Sequence, residues 1–144
     1  MQVYGISLGY PIPVPLLARP VAAGFPSPAD DFIEEEIDLQ RLLIVNRPAT
    51  FLVRVAGDSM VGKGLFNDDL AIVDRSLEPQ NGDVVMVDVD GERSFKVWQR
   101  LGHRVSLAFA NPRYPTFDLS PGAVVEVWGV VSASINPRRR AQRG

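Results

Sequence analysis

The chain has no cysteine, one histidine, and two lysines against thirteen arginines among its 144 residues. Without cysteine there is neither a disulfide framework nor thiolate chemistry. A lone histidine, His103, leaves little material for imidazole catalysis or a histidine-rich metal site. No run approaches the ~18 apolar residues of a membrane-spanning helix. The N-terminal MQVYGISLGYPIPVPLL lacks a basic n-region, and its prolines interrupt any apolar h-region, so no secretory signal is expected. These absences make the cytoplasm the expected location and a membrane partner unexpected.

What is present fits one globular domain. The hydrophobic share is 46% and the charged share 22%, ordinary values for a packed core with a polar surface. The net charge of -2 is unevenly spread, because four arginines fall in the last nine residues, NPRRRAQRG. The acidic remainder argues against a protein that grips nucleic acid over its surface, so direct DNA binding is expected to be weak or absent. The basic tail reads as a solvated end.

Residues 1–29 contain six of the twelve prolines and one charged residue, Arg19. Proline fixes φ and removes a donor, which predicts an extended arm rather than a helix or a central strand. A short helix is expected after it, with Asp38 capping LQRLLIV. From Thr50 the pattern turns to β, with short valine- and isoleucine-rich runs at 50–56, 69–75, 83–90, 92–101, 104–110 and 124–135. Asp90-Gly91 predicts a two-residue hairpin between the third and fourth of these. The expected fold is mostly β: a compact, partly closed antiparallel structure with an N-terminal arm. The expected organisation is an arm at 1–23, a linker with a short helix at 24–49, a core at 50–135, and a basic tail at 136–144.

Ser59 lies in GDSM, between a strand and a glycine-rich turn. A serine hydroxyl needs a neighbouring base to become a nucleophile. The candidates are His103, Lys63, Lys96 or a carboxylate, since arginine does not deprotonate. Lys63 lies in GKG, a wet turn in which a lysine stays protonated. Lys96 lies in SFKVW, on a strand expected to line the core, where burial penalises the charged form. A Ser59–Lys96 dyad is therefore one reading. A turn serine and a solvent-facing strand lysine are the other, and the residues alone leave both open.

GDSM at 57–60, the D-L-x-I-V-D pattern from Asp69 to Asp74, GDVV at 82–85, VDGE at 89–92 and Lys96 together resemble the LexA/UmuD self-cleaving serine peptidases. The resemblance extends upstream through GFPSPADDF and IDLQRLLI, covering residues 24 to about 131, and weakens in the first 20 residues. It implies a catalytic Ser59–Lys96 dyad and self-cleavage at Ala23-Gly24. It also implies an oxyanion hole from the backbone N–H groups of Asp58 and Ser59, and no cofactor. Implied partners are a second copy of the chain, a UmuC-like Y-family DNA polymerase subunit, and a RecA–single-stranded DNA filament that stimulates cleavage during the SOS response. The small side chains of Ala22 and Ala23 suit a narrow cleft, and Gly24 permits a kink.

Other readings fit less well. A repressor of this family needs a helix-turn-helix that 23 proline-rich residues cannot form, and a signal peptidase needs a membrane anchor. A metal site from Asp68, Asp69, Asp74, Asp83, Asp88 and Asp90 lacks histidine support, and aspartates at strand ends are usually turn formers. The main alternative is a non-enzymatic dimeric module that binds a polymerase and carries a vestigial dyad.

Overall fold

The computed structural model describes residues 10–25 and 32–139, and these fall into two compact units, one within 10–45 and one at 46–139. In the first unit, β1 (Pro13–Leu17) pairs antiparallel with β2 (Ile33–Asp38). The proline-rich segment is expected to be extended, neither helix nor central strand; residues 13–17 are extended, and they pair with β2. Pro13 and Pro15 are two residues apart, and their missing donors therefore fall on one edge of the strand. A two-stranded ribbon leaves one edge of each strand unpaired, where proline is tolerated. The helix α1 (Leu39–Leu43) follows, with the Asp38 carboxylate accepting from the Gln40 N–H at 3.0 Å.

The second unit is built on one antiparallel sheet in the order β3-β4-β8-β5-β6-β7. Its strands are β3 (Thr50–Arg54), β4 (Leu70–Asp74), β5 (Val84–Val89), β6 (Glu92–Leu101), β7 (Arg104–Ala108) and β8 (Val125–Ile135). All neighbouring strands run antiparallel. The fold is mostly β, as expected from the valine-rich runs. Asp90 and Gly91 both take positive φ, 50° and 84°, and pair Val89 with Glu92 across the tight turn.

Side-chain alternation along the strands divides the core. One cluster gathers Phe51, Val53, Val55, Met60, Leu65, Ala71, Val73, Met86 and Val97, with Phe95 packed against it. A second gathers Val85, Val87, Leu107 and Val130, with Trp98 and Phe117 against it. β5 is thus buried on both sides. On β6, Phe95 and Val97 serve the first cluster, so the residues between and beside them, Ser94, Lys96 and Trp98, face the other way. β8 comes so close to β4 at Gly129 that an added Cβ would lie 2.7 Å from Val73 Cγ1.

The aspartates proposed as possible metal ligands are distributed among separate turns. Asp69 accepts from the Phe66 N–H, Asp74 from the Ser76 N–H, Asp83 from the Gln80 N–H and Asp90 from the Val124 N–H. Asp88 instead receives two hydrogen bonds from Arg93, at 2.7 and 3.1 Å, and one from Trp128 Nε1. His103 is exposed in the turn before β7.

Candidate active site

Ser59 follows β3 by a short turn. Gly57 opens it at φ 91°, and the Gly57 N–H is held by Asn67 Oδ1 at 2.8 Å. The residue is half-buried, and its hydroxyl makes no hydrogen bond among the described residues. It lines a cleft of about 260 Å³ with Val53, Arg54, Met86, Arg93, Ser94 and Phe95 among its walls. Among the described residues the N–H groups of Asp58 and Ser59 donate to no protein acceptor, whereas the two carbonyls are engaged. Asp58 O accepts from Asn111 Nδ2 at 2.8 Å, and Ser59 O from the Ala110 N–H at 2.8 Å.

Lys96 is 5% exposed, in the middle of β6 opposite Val85. The cover over its amine differs from the one expected. Phe95 and Val97 flank it in sequence, but alternation sends them to the opposite face. The apolar cover comes from distant residues: the rings of Phe109 and Phe117 each lie 4.7 Å from Nζ. Burial pushes the Lys96 amine below its ordinary lysine value. The two ring faces near Nζ favour a cation, and burial acts in the opposite sense.

Nζ donates to Ser94 Oγ at 2.7 Å and to Phe95 O at 3.4 Å. A neutral amine has two N–H donors and a lone pair, so it can make both contacts and keep the lone pair free. Ser59 is not among the hydrogen-bond partners of Nζ. Ser94 is common to both surroundings: it holds the amine and also lines the cleft that contains Ser59. Ser94 was missed in the sequence, although its position two residues before Lys96 on a strand puts both on one face.

Lys63 is exposed in the Val61–Lys63 turn, on a cleft that Phe109 and Phe117 also line. Ala23 and Gly24 lie in an exposed bend of the first unit, where a Cβ added to Gly24 would meet no atom within 4 Å. Asn111 and Tyr114 were also missed. Asn111 is a buried polar side chain, and the Tyr114 hydroxyl donates to Asp58 Oδ1. That hydrogen bond raises the Tyr114 phenol above its usual value.

The chain matches the Peptidase S24-like family over residues 15–132. It is 45% identical over 125 residues to Protein SamA of Salmonella typhimurium, a match covering 87% of this chain and 86% of that protein. Protein MucA of Escherichia coli is 32% identical over 85% of this chain and 84% of its own length. The LexA repressor of Acidothermus cellulolyticus is 36% identical over 85% of this chain but only 42% of the repressor. A family match across most of the sheet unit, agreeing with the mostly β antiparallel fold, places the chain in the Peptidase S24-like family as a UmuD-like member of the LexA/UmuD peptidases.

Proposed function

We propose that the chain is a self-cleaving serine endopeptidase that uses Ser59 and Lys96 to cut its own Ala23–Gly24 bond. The observation that carries this reading is the dry amine: Lys96 is 5% exposed, lies beneath two aromatic rings, and has two acceptors for its two neutral-form donors. Its remaining lone pair is the base. The Ser59 hydroxyl gives its proton to that lone pair, and Oγ attacks the Ala23 carbonyl carbon. The developing oxyanion is met by the unengaged N–H groups of Asp58 and Ser59. Lysine, now an ammonium, returns a proton to the Gly24 nitrogen as the C–N bond breaks. Water then hydrolyses the acyl-serine, leaving residues 24–144.

Tethering the substrate makes the attack intramolecular, so alignment supplies part of the barrier reduction without a separate binding step. By resemblance, the protein is cytoplasmic and dimeric and acts in SOS mutagenesis. A RecA–single-stranded DNA filament stimulates the cut, and the shortened form joins a UmuC-like Y-family polymerase subunit for synthesis across lesions.

The test is incubation of the purified chain across neutral to alkaline pH, followed by intact-mass spectrometry. Cleavage speeds up as pH rises through the Lys96 titration, and the new N-terminus is Gly24. Ser59→Ala and Lys96→Ala stay full-length, while Lys63→Ala is cut like the parent. A chain that stays whole under these conditions and with an activated filament is instead the non-enzymatic module. A cut product from Lys96→Ala refutes the base assignment.

A further inference from the structure

Segment 109–117 touches both halves of the proposed dyad. At its start, the Phe109 ring lies over Lys96 Nζ; at its end, Phe117 does the same. Between them, four hydrogen bonds run to the turn that carries Ser59. The Ala110 N–H donates to Ser59 O at 2.8 Å, and the Gly62 N–H donates to Ala110 O at 2.6 Å. Asn111 Nδ2 donates to Asp58 O at 2.8 Å, and the Tyr114 hydroxyl donates to the Asp58 carboxylate.

The approach is close enough that a Cβ on Gly62 would lie 2.5 Å from Ala110 O, so the two stretches of backbone are in direct contact. Asn111 is itself held in place. Its Oδ1 accepts from the Arg113 N–H at 3.0 Å, its carbonyl accepts from the Tyr114 N–H at 3.0 Å, and its side chain is buried. The Tyr114 ring packs on Phe109, with centroids 5.2 Å apart.

A peptide unit is planar, and in the trans form its C=O and N–H point in opposite directions. A donor fixed on the Asp58 carbonyl therefore sets the direction of the Ser59 N–H, which belongs to the same peptide unit. That N–H is one of the two proposed oxyanion donors. We propose that Asn111, seconded by Tyr114, is a positioning residue: by holding the Asp58 carbonyl and carboxylate it aims the Ser59 N–H at the forming oxyanion. This rests on the self-cleavage reading above. The Asn111 side chain makes its hydrogen bonds to Asp58 O and the Arg113 N–H and not to the amine, so it acts on the height of the barrier and not on the protonation of Lys96.

The experiment measures first-order self-cleavage of the full chain from neutral to alkaline pH for the parent, Asn111→Ala and Tyr114→Phe, with urea unfolding of each in a Ser59→Ala background. Misaiming a catalytic group by about an ångström costs up to roughly a hundredfold. The expected result is a plateau rate about ten- to a hundredfold lower for Asn111→Ala. Tyr114→Phe shows a smaller loss, and in both variants the pH midpoint of the profile stays at the parent value. A merely structural role would lower the rate only in proportion to the unfolded fraction.

Tyr114 is 38% exposed and its ring is retained in Tyr114→Phe, so that variant keeps the test alive should Asn111→Ala melt. Parent-like rates in the folded variants overturn the proposal, as does a shifted pH midpoint. If Ser59→Ala itself is cut, the self-cleavage reading fails. If Ser59→Ala is inert and the folded positioning variants cleave normally, only the positioning role fails.

Discussion

Replacing Lys96 with methionine should remove cleavage and make the protein more stable near neutral pH. The side chain keeps its unbranched shape and its apolar neighbours Phe109 and Phe117, while the ionisable nitrogen is lost. Burial lowers the Lys96 amine from the ordinary 10.5. The unfolded chain therefore binds a proton that the folded chain resists, and stability rises with pH between the folded and unfolded values. The penalty is complete below the folded value and disappears once the pH passes the unfolded one. Against this stands the hydrogen bond to Ser94 at 2.7 Å, with a net value of about 1 kcal/mol; the 3.4 Å contact with Phe95 O is long and weak.

Because burial lowers the amine, Lys96→Met is expected to be the more stable of the two at neutral pH. Urea unfolding of Ser59→Ala against Ser59→Ala/Lys96→Met reads it without interference from self-cleavage. The double variant should have the higher midpoint at neutral pH, and with a slope of about 1–3 kcal/mol per molar the lost Ser94 hydrogen bond, about 1 kcal/mol, should place it roughly half a molar lower above the lysine range. The gap should close, and then reverse by the value of the lost hydrogen bond, as pH rises through the lysine range. A gap that does not change with pH would mean the amine is not being discharged by burial, and the base argument would fall with it.

Phe117→Ala opens one side of the cover over Lys96, so the amine regains water and the rise in cleavage moves to higher pH, with a rate near neutral pH roughly tenfold lower for each 1.4 kcal/mol of restored hydration. A pH–rate profile moving the other way would mean that the ring's attraction for the cation outweighs its exclusion of water. Gly129→Ala pushes a methyl group within 2.7 Å of Val73 Cγ1 and 2.9 Å of Asp74 O, and should cost about 1–3 kcal/mol in urea unfolding. Parent-like stability there would mean that β4 and β8 separate easily.

The sheet was readable because its signals are local. Valine- and isoleucine-rich runs bounded by glycine, asparagine and aspartate gave the strands from β3 onward, and Asp90-Gly91 gave the turn whose two residues adopt positive φ. The β1–β2 ribbon was not readable in the same way. Proline depletion is a rule for central strands, and PVPLL forms a ribbon strand where a missing donor can lie on an open edge. At the candidate site, the type and burial of Lys96 followed from its strand, but its surroundings did not. Phe95 and Val97 are its neighbours in the chain and lie on the wrong face, while Phe109 and Phe117 arrive through the β6–β7 hairpin and the following loop. Asn111 and Tyr114 carry no local signature, because the carbonyl and carboxylate they hold are more than fifty residues away in sequence.

Ser94 gives the arrangement its chemical sense. An amine that must receive a proton needs its lone pair directed at the donor, and a freely rotating lysine terminus would direct it anywhere. Ser94 Oγ, and more weakly Phe95 O, restrict how the amine can turn. The rings of Phe109 and Phe117 limit the access of water to the amine. Because segment 109–117 supplies those rings and also grips the carbonyls of Asp58 and Ser59, the geometry of the base and that of the nucleophile are set by one piece of backbone. A displacement of that segment would loosen both at once, so on the self-cleavage reading the reactivity of Ser59 and the protonation of Lys96 are linked through residues that take no part in the bond breaking.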